Sequence, residues 1–192
     1  MPVKVGISTG VFLLLPAALL LLPFRWVLAF LLAITIHETG HYVALRLCKL
    51  PIFALEITPL GVTMQTCEMQ GRETVLCALA GPLFALFFTV FSKIIPCTAV
   101  CILIQSLFNL LPIYPLDGGR VLRVMLRKLF SDDRKAMCCE RWILCFTGIF
   151  CLYVLYQLRF GIVCTLLAGV FFVQKCLAKV DNTGYNRVKK LF

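Results

Sequence analysis

Residues 26–48 read WVLAFLLAITIHETGHYVALRLC, and the rest of the chain is best read outward from them. Val27 to Ile36 carries no charge on any side. Helices of soluble proteins show a polar face, whereas one that is apolar all round belongs in a core or a bilayer. At 1.5 Å per residue the stretch reaches about 35 Å, enough to cross a hydrocarbon layer of about 30 Å. Into this run the chain sets Ile36-His37-Glu38-Thr39-Gly40-His41, and both histidines of the whole sequence fall there. On a helix His37 and His41 share one face, about 6 Å apart along the axis. Two imidazoles so placed can ligate one tetrahedral metal ion, normally zinc. Glu38, beside the first of them, is placed to take a proton from a water the metal acidifies. The plainer reading is a helix with buried polar residues and a buried glutamate. Depth argues against it: His37 lies roughly 16 Å in from Trp26, and ionisable groups at membrane depth are costly and functional by default.

The composition agrees with a bilayer. Hydrophobic residues make up 61% of the 192 and charged residues 15%, with a mean hydropathy of +0.95. Soluble domains run near 45–50% apolar and about 25% charged, so a soluble globule and a disordered chain are both excluded. Eleven cysteines are scattered through apolar segments without paired zinc-ribbon or redox spacing, and there a free thiol behaves as a small hydrophobe. The net charge of +10 would suggest a polyanion partner in a soluble protein. Here the basic residues cluster between apolar runs and no nucleic-acid recognition module is present, so no nucleic-acid partner is expected.

Six apolar segments of roughly 17–23 residues can be drawn, at 8–24, 26–48, 73–92, 94–111, 142–158 and 161–177. The first contains Pro16 and lacks a small-x-small cleavage site, so it is read as retained rather than as a signal peptide. With the N-terminus in the cytoplasm, all of the 19 basic residues except Arg25, Lys93 and Arg159 lie inside, as the positive-inside rule prefers. Both termini are then cytoplasmic. Pro51–Gly71 carries β-branched and aromatic residues around Pro59 and Gly61, the pattern of two short strands about a turn. Arg120, Arg123, Arg127 and Lys128 alternate with Val, Leu and Met, which suits an interfacial helix against anionic headgroups. Topogenic charge alone explains that pattern equally well. The fold class expected is an all-α polytopic membrane protein of about six transmembrane helices, with a small membrane-associated β-hairpin after the second. It is read as one domain over 1–192, with no PDZ or CBS domain.

Zinc needs a third protein ligand and an open position. Most of the nine acidic residues lie in loops near basic neighbours. Asp117 is the exception, in Asn109-Leu110-Leu111-Pro112-Ile113-Tyr114-Pro115-Leu116-Asp117-Gly118-Gly119-Arg120. Segments two and four run in the same direction, and Pro112 and Pro115 stop the fourth helix. Spacing alone leaves Asp117 as either a ligand or the N-cap of the helix that follows.

Together, HETGH in an early span and the Asn-x-x-Pro-x-x-Pro-Leu-Asp-Gly element after a later one resemble the site-2 protease family of intramembrane zinc metalloproteases. The resemblance covers about 34–120. It implies one zinc ion held by His37, His41 and Asp117, with Glu38 as catalytic acid and base. It also implies that Asn109 and Pro115 help hold the substrate. Ala80-Gly81-Pro82-Leu83 is similar to the family's Ala-Gly-Pro element, but Leu83-Phe84-Ala85-Leu86 lacks the asparagine that often follows it. Gly81 and Pro82 also suit plain helix packing with a kink. The short layout and the 109–120 element look most like the sporulation branch, which processes a membrane-tethered pro-sigma factor.

The function expected is hydrolysis of a peptide bond in or near the transmembrane segment of a tethered protein. A membrane protein inhibitor is among the partners such an enzyme would take, along with the bilayer itself. The enzyme would sit in the cell membrane with its active site toward the cytoplasm. A metal-ion transporter is the rival from another class, but it needs transit ligands in several spans, and almost none occur outside 26–48. A catalytically silent relative that binds membrane proteins is a second rival, and every catalytic position being filled argues against it. A prenyl protease of the CAAX type also uses HExxH, but fits the Asp-Gly element poorly.

Overall fold

The computed structural model describes residues 4–58, 61–67, 69, 71–130 and 132–157. The chain divides into two compact units, Met1–Leu110 and Leu111–Phe192.

The first unit is built on α2 (Phe24–Leu47), α3 (Gly71–Phe87) and α4 (Pro96–Asn109), preceded by α1 (Thr9–Leu21). The buried residues of α2 are Val27, Ala29, Ala33, His37, Gly40 and Leu45. Steps of three and four put Ala29, Ala33, His37 and Gly40 on one stripe. On α3 the corresponding stripe is Ala78, Gly81, Pro82 and Ala85, and on α4 it is Thr98, Ala99, Ile102, Gln105 and Ser106. These stripes face one another, and Ala33, Ala85 and Ile102 form the innermost core, flanked by Ile36, Phe88 and Cys101. Small residues let helix backbones approach closely where lipid removes any hydrophobic drive between helices. Leu28, Leu31, Leu32, Leu76, Leu83, Phe87, Ile104 and Leu107 are turned outward and exposed. Large apolar side chains outside and small ones inside is the arrangement that suits hydrocarbon surroundings. The hydroxyls of Thr35 and Thr39 donate back to the carbonyls of Leu31 and Thr35, at 2.9 and 2.7 Å, so neither needs water.

Gly40 marks a close crossing of α2 with α3. A Cβ there would lie 2.6 Å from the Ala80 carbonyl oxygen and 2.7 Å from Phe84 Cβ. Helix α2 ends in a Schellman turn: Lys49 N–H donates to Arg46 O at 3.1 Å and Leu50 N–H to Leu45 O at 2.9 Å. Lys49 takes the left-handed conformation that glycine usually fills there, with φ 57°.

Three strands complete this unit: β1 (Lys4–Ile7), β2 (Ile52–Thr58) and β3 (Gly61–Thr66), in the order β1-β2-β3. The expected hairpin is present, with Thr58 paired to Gly61 and Ile57 to Val62. It is one strand larger than expected, because β1 pairs in parallel with β2 from Lys4 against Ala54 to Ile7 against Ile57. A four-residue strand that pairs across two intervening helices leaves no local signal.

The second unit holds α5 (Asp117–Leu129) and α6 (Asp133–Gln157), packed together. Arg123 joins them: its Nη2 donates to Glu140 Oε1 at 2.7 Å and its Nε to both carboxylate oxygens at 3.2 Å. The Arg123 guanidinium also lies 3.8 Å from the centre of the Tyr114 ring.

Among the described residues three helices are long and apolar enough to cross a membrane: Phe24–Leu47, Gly71–Phe91 and Arg134–Val154. The expected segments 26–48 and 73–92 coincide with the first two. The first and fourth segments form shorter helices, α1 of 13 residues and α4 of 14. By length each falls short of the roughly 20 residues of a full crossing. The fifth extends back to Asp133, ahead of the expected start at 142, because charged residues of its first turns disguise it as loop. The segment 161–177 lies outside the described residues.

Candidate metal centre

His37 and His41 stand on α2 with their ring centres 4.8 Å apart and their planes at 80°. His37 is 2% exposed. Their Nε2 atoms converge to 3.1 Å. Two nitrogens bound tetrahedrally to zinc at 2.0–2.1 Å would be about 3.3 Å apart, so the pair is spaced for one ion. The tautomer agrees. His41 Nδ1 lies 2.7 Å from the Cys77 carbonyl oxygen, which can only accept, so Nδ1 carries the proton and Nε2 keeps its lone pair. Ligating histidines are commonly oriented in this way by a hydrogen bond from their second nitrogen. Asn109 Nδ2 lies 3.3 Å from His37 Nε2, so that nitrogen too faces a donor with its lone pair. Ring nitrogens converging at this spacing fit a cation, and these residues fit zinc.

The α2–α3 crossing shapes the site. A Cβ on Gly81 would collide with His41 Nε2 and lie 2.5 Å from Cε1 and 2.7 Å from Cδ2. Gly81 is therefore the floor on which the His41 ring rests, as well as a helix-packing residue. Glu38 is half-buried, and its Oε1 accepts the Val62 N–H of β3 at 3.0 Å. The first unit thus brings together His37, Glu38, His41 and Asn109. The sequence offered no sign of the Cys77 carbonyl or the Val62 amide, since both are backbone groups of residues with unrelated side chains.

Asp117 and Pro115 belong to the second unit. Asp117 is the first residue of α5 and is 6% exposed. Leu116, rather than Asp117, holds the N-cap position, so the capping alternative for Asp117 is not what is found. An acidic residue in the first turn is still favoured by the helix dipole. Gly119 lets this turn close, because a Cβ there would strike the Ile113–Tyr114 backbone. Arg120 Nε donates to the Pro115 carbonyl at 3.2 Å, and the Tyr114–Pro115 bond is cis.

A solved site-2 protease from Methanocaldococcus jannaschii superimposes with a TM-score of 0.61, covering 94% of this chain and 95% of that one at 18% identity. The chain has a site-2 protease fold. In sequence, a zinc metalloprotease of Methanocaldococcus jannaschii is 25% identical over 123 residues, 55% of this chain. The chain spans 36% of that relative's length. No family model matches. The site-2 protease fold and the apolar helices agree with a membrane protein.

Proposed function

We propose that this chain is an intramembrane zinc endopeptidase that cleaves a membrane-tethered protein in or near its transmembrane segment. The observation that carries the reading is the convergence of His37 and His41 Nε2 to 3.1 Å, beside Glu38, within an apolar helix. Asp117 is proposed as the third ligand: it is an acidic residue, 6% exposed, at the start of α5. A single ion is proposed.

Zinc, when bound, supplies Lewis acidity, which lowers the pKa of water toward about 7 and polarises a carbonyl. Glu38 takes the proton of the attacking water and returns it to the leaving amine. The Asn109 amide, beside the ligand nitrogens, donates to the scissile carbonyl oxygen as it gains negative charge. Pro115 is proposed to border the substrate. A peptide bond inside a helix is shielded, so the substrate must unwind. β3 is an edge strand, and an extended segment can add to it by main-chain hydrogen bonds. On the 109–120 pattern, a pro-sigma factor is the specific substrate proposed, with a membrane protein as inhibitor. Placement in the cell membrane, multi-pass with cytoplasmic termini and a cytoplasm-facing site, rests on the distribution of basic residues.

The test uses a reporter with one Leu/Ala transmembrane segment interrupted by a central Asn-Pro pair, co-reconstituted with the full chain. Wild type should cleave it, while Glu38→Gln should keep its zinc and lose cleavage. Equal cleavage by both would exclude the mechanism.

A further inference from the structure

We propose that the start of β3 is a positioning device for the catalytic base: the Val62 amide holds the Glu38 carboxylate, and Gly61 must lack a Cβ for the carboxylate to reach it. The inference rests on the protease reading above and identifies further residues that serve it.

Two independent observations meet here. Val62 N–H donates to Glu38 Oε1 at 3.0 Å, across 24 residues of sequence. A Cβ built on Gly61 would fall on the same Oε1 atom, so the carboxylate packs directly against the Gly61 backbone. Gly61 also has φ 143°, a conformation that side-chain-bearing residues avoid. Gly61 is held from its other side as well, because Thr58 Oγ1 donates to its carbonyl at 2.9 Å.

The Val62 amide is spared for this task by the sheet topology. β3 pairs only with β2, so alternate amides of β3 point away from the sheet. The amide of Val62 is one of these, and it meets a glutamate of α2 in place of a strand. A carboxylate on a flexible side chain is thereby set by a charge-assisted hydrogen bond from rigid backbone. The base is also registered to the strand edge on which an extended substrate would lie. A displacement of about 1 Å at a reacting group can cost about 10²-fold in rate, so the hold matters to chemistry more than to folding.

Gly61→Ala places a methyl group where Oε1 sits, and Val62→Pro removes the donor at an edge position, where proline costs no ladder bond. In the full chain with the Leu/Ala reporter, both variants should lose at least tenfold in kcat. Their KM and bound zinc should stay within twofold of wild type. Wild-type kcat in either variant, or a loss that follows zinc or KM, overturns the proposal. A second arm needs no reporter. In the ¹⁵N-valine-labelled chain, Glu38→Ala should lower hydrogen-exchange protection of the Val62 amide at least tenfold, and unchanged protection also overturns it. A wild-type chain that leaves the reporter intact defeats the protease reading instead, while the amide arm still judges the hydrogen bond.

Discussion

Replacing Gly81 by alanine sets a methyl group against the His41 ring, and the structure allows the consequence to be worked out. The new Cβ would lie 2.5 Å from Cε1 and 2.7 Å from Cδ2, and would collide with Nε2. Ordinary carbon contacts begin near 3.5 Å, so the ring must retreat by about 1 Å. Metal–ligand distances tolerate only about 0.2 Å. The ring is also tied to the Cys77 carbonyl at 2.7 Å, so it cannot retreat without giving up the bond that sets its tautomer. The alternative is that α3 moves off α2, and overpacking of that kind costs about 1–3 kcal/mol. Helix propensity acts in the other direction, favouring alanine over glycine by about 1 kcal/mol. The expected result is a chain of nearly wild-type thermal stability without metal, whose zinc affinity is at least tenfold weaker. Zinc at about a hundred times its Kd should stabilise wild type by about 2.7 kcal/mol, which gives a second reading of affinity by melting with and without metal. Gly40→Ala is the comparison. Its methyl group meets the Ala80 carbonyl at 2.6 Å and Phe84 Cβ at 2.7 Å, so it should lower stability. Wild-type zinc affinity in Gly81→Ala, measured by metal analysis after dialysis, would refute the placement of the His41 ring.

Other substitutions test separate parts of the molecule. Lys49→Gly should stabilise the chain by about 1 kcal/mol, because a side chain in the left-handed region at φ 57° is strained; chemical denaturation in detergent would show it. Arg123→Ala and Glu140→Ala should each destabilise by about 2 kcal/mol. The double variant should cost much less than the sum, since the two side chains form one bidentate pair. Asp117→Ala should lower zinc affinity at least tenfold, and unchanged affinity would remove it from the ligand set. Phenanthroline should abolish reporter cleavage, and added zinc should restore it.

How far the sequence could be read follows from which signals are local. The convergence of His37 and His41 was legible because i, i+4 spacing is a property of one helix, and the apolar run around them marked α2 as a long apolar helix. The hairpin was legible from Pro59 and Gly61 between β-branched runs. β1 was not, since its partners lie some 50 residues away. The start of α6 was hidden because Arg134, Lys135, Glu140 and Arg141 interrupt the hydropathy on which span boundaries rely. Asp117 could be singled out by its setting among prolines and glycines, but the choice between cap and ligand could not be made from spacing. Gly81 carried a packing signal, whereas its contact with the His41 ring depends on how α3 is rotated against α2. The Cys77 carbonyl and the Val62 amide belong to backbone, and no side-chain pattern announces them.

The small residues of α2 have a consequence for chemistry. Ala29, Ala33 and Gly40 share one stripe with His37, so the face that packs α2 against α3 and α4 is the face that bears this imidazole. Their size sets the distance between helices, and that distance decides whether the Cys77 carbonyl of α3 reaches His41 Nδ1 at 2.7 Å. A larger residue on the stripe would separate the helices by about the thickness of a methyl group, well beyond the range in which such a bond survives. His41 would then be free to exchange tautomers, and its Nε2 lone pair would no longer be held toward His37. Close packing and the convergence of the two imidazoles are therefore one property in this bundle. The same crossing that buries His37 also fixes the proton of His41.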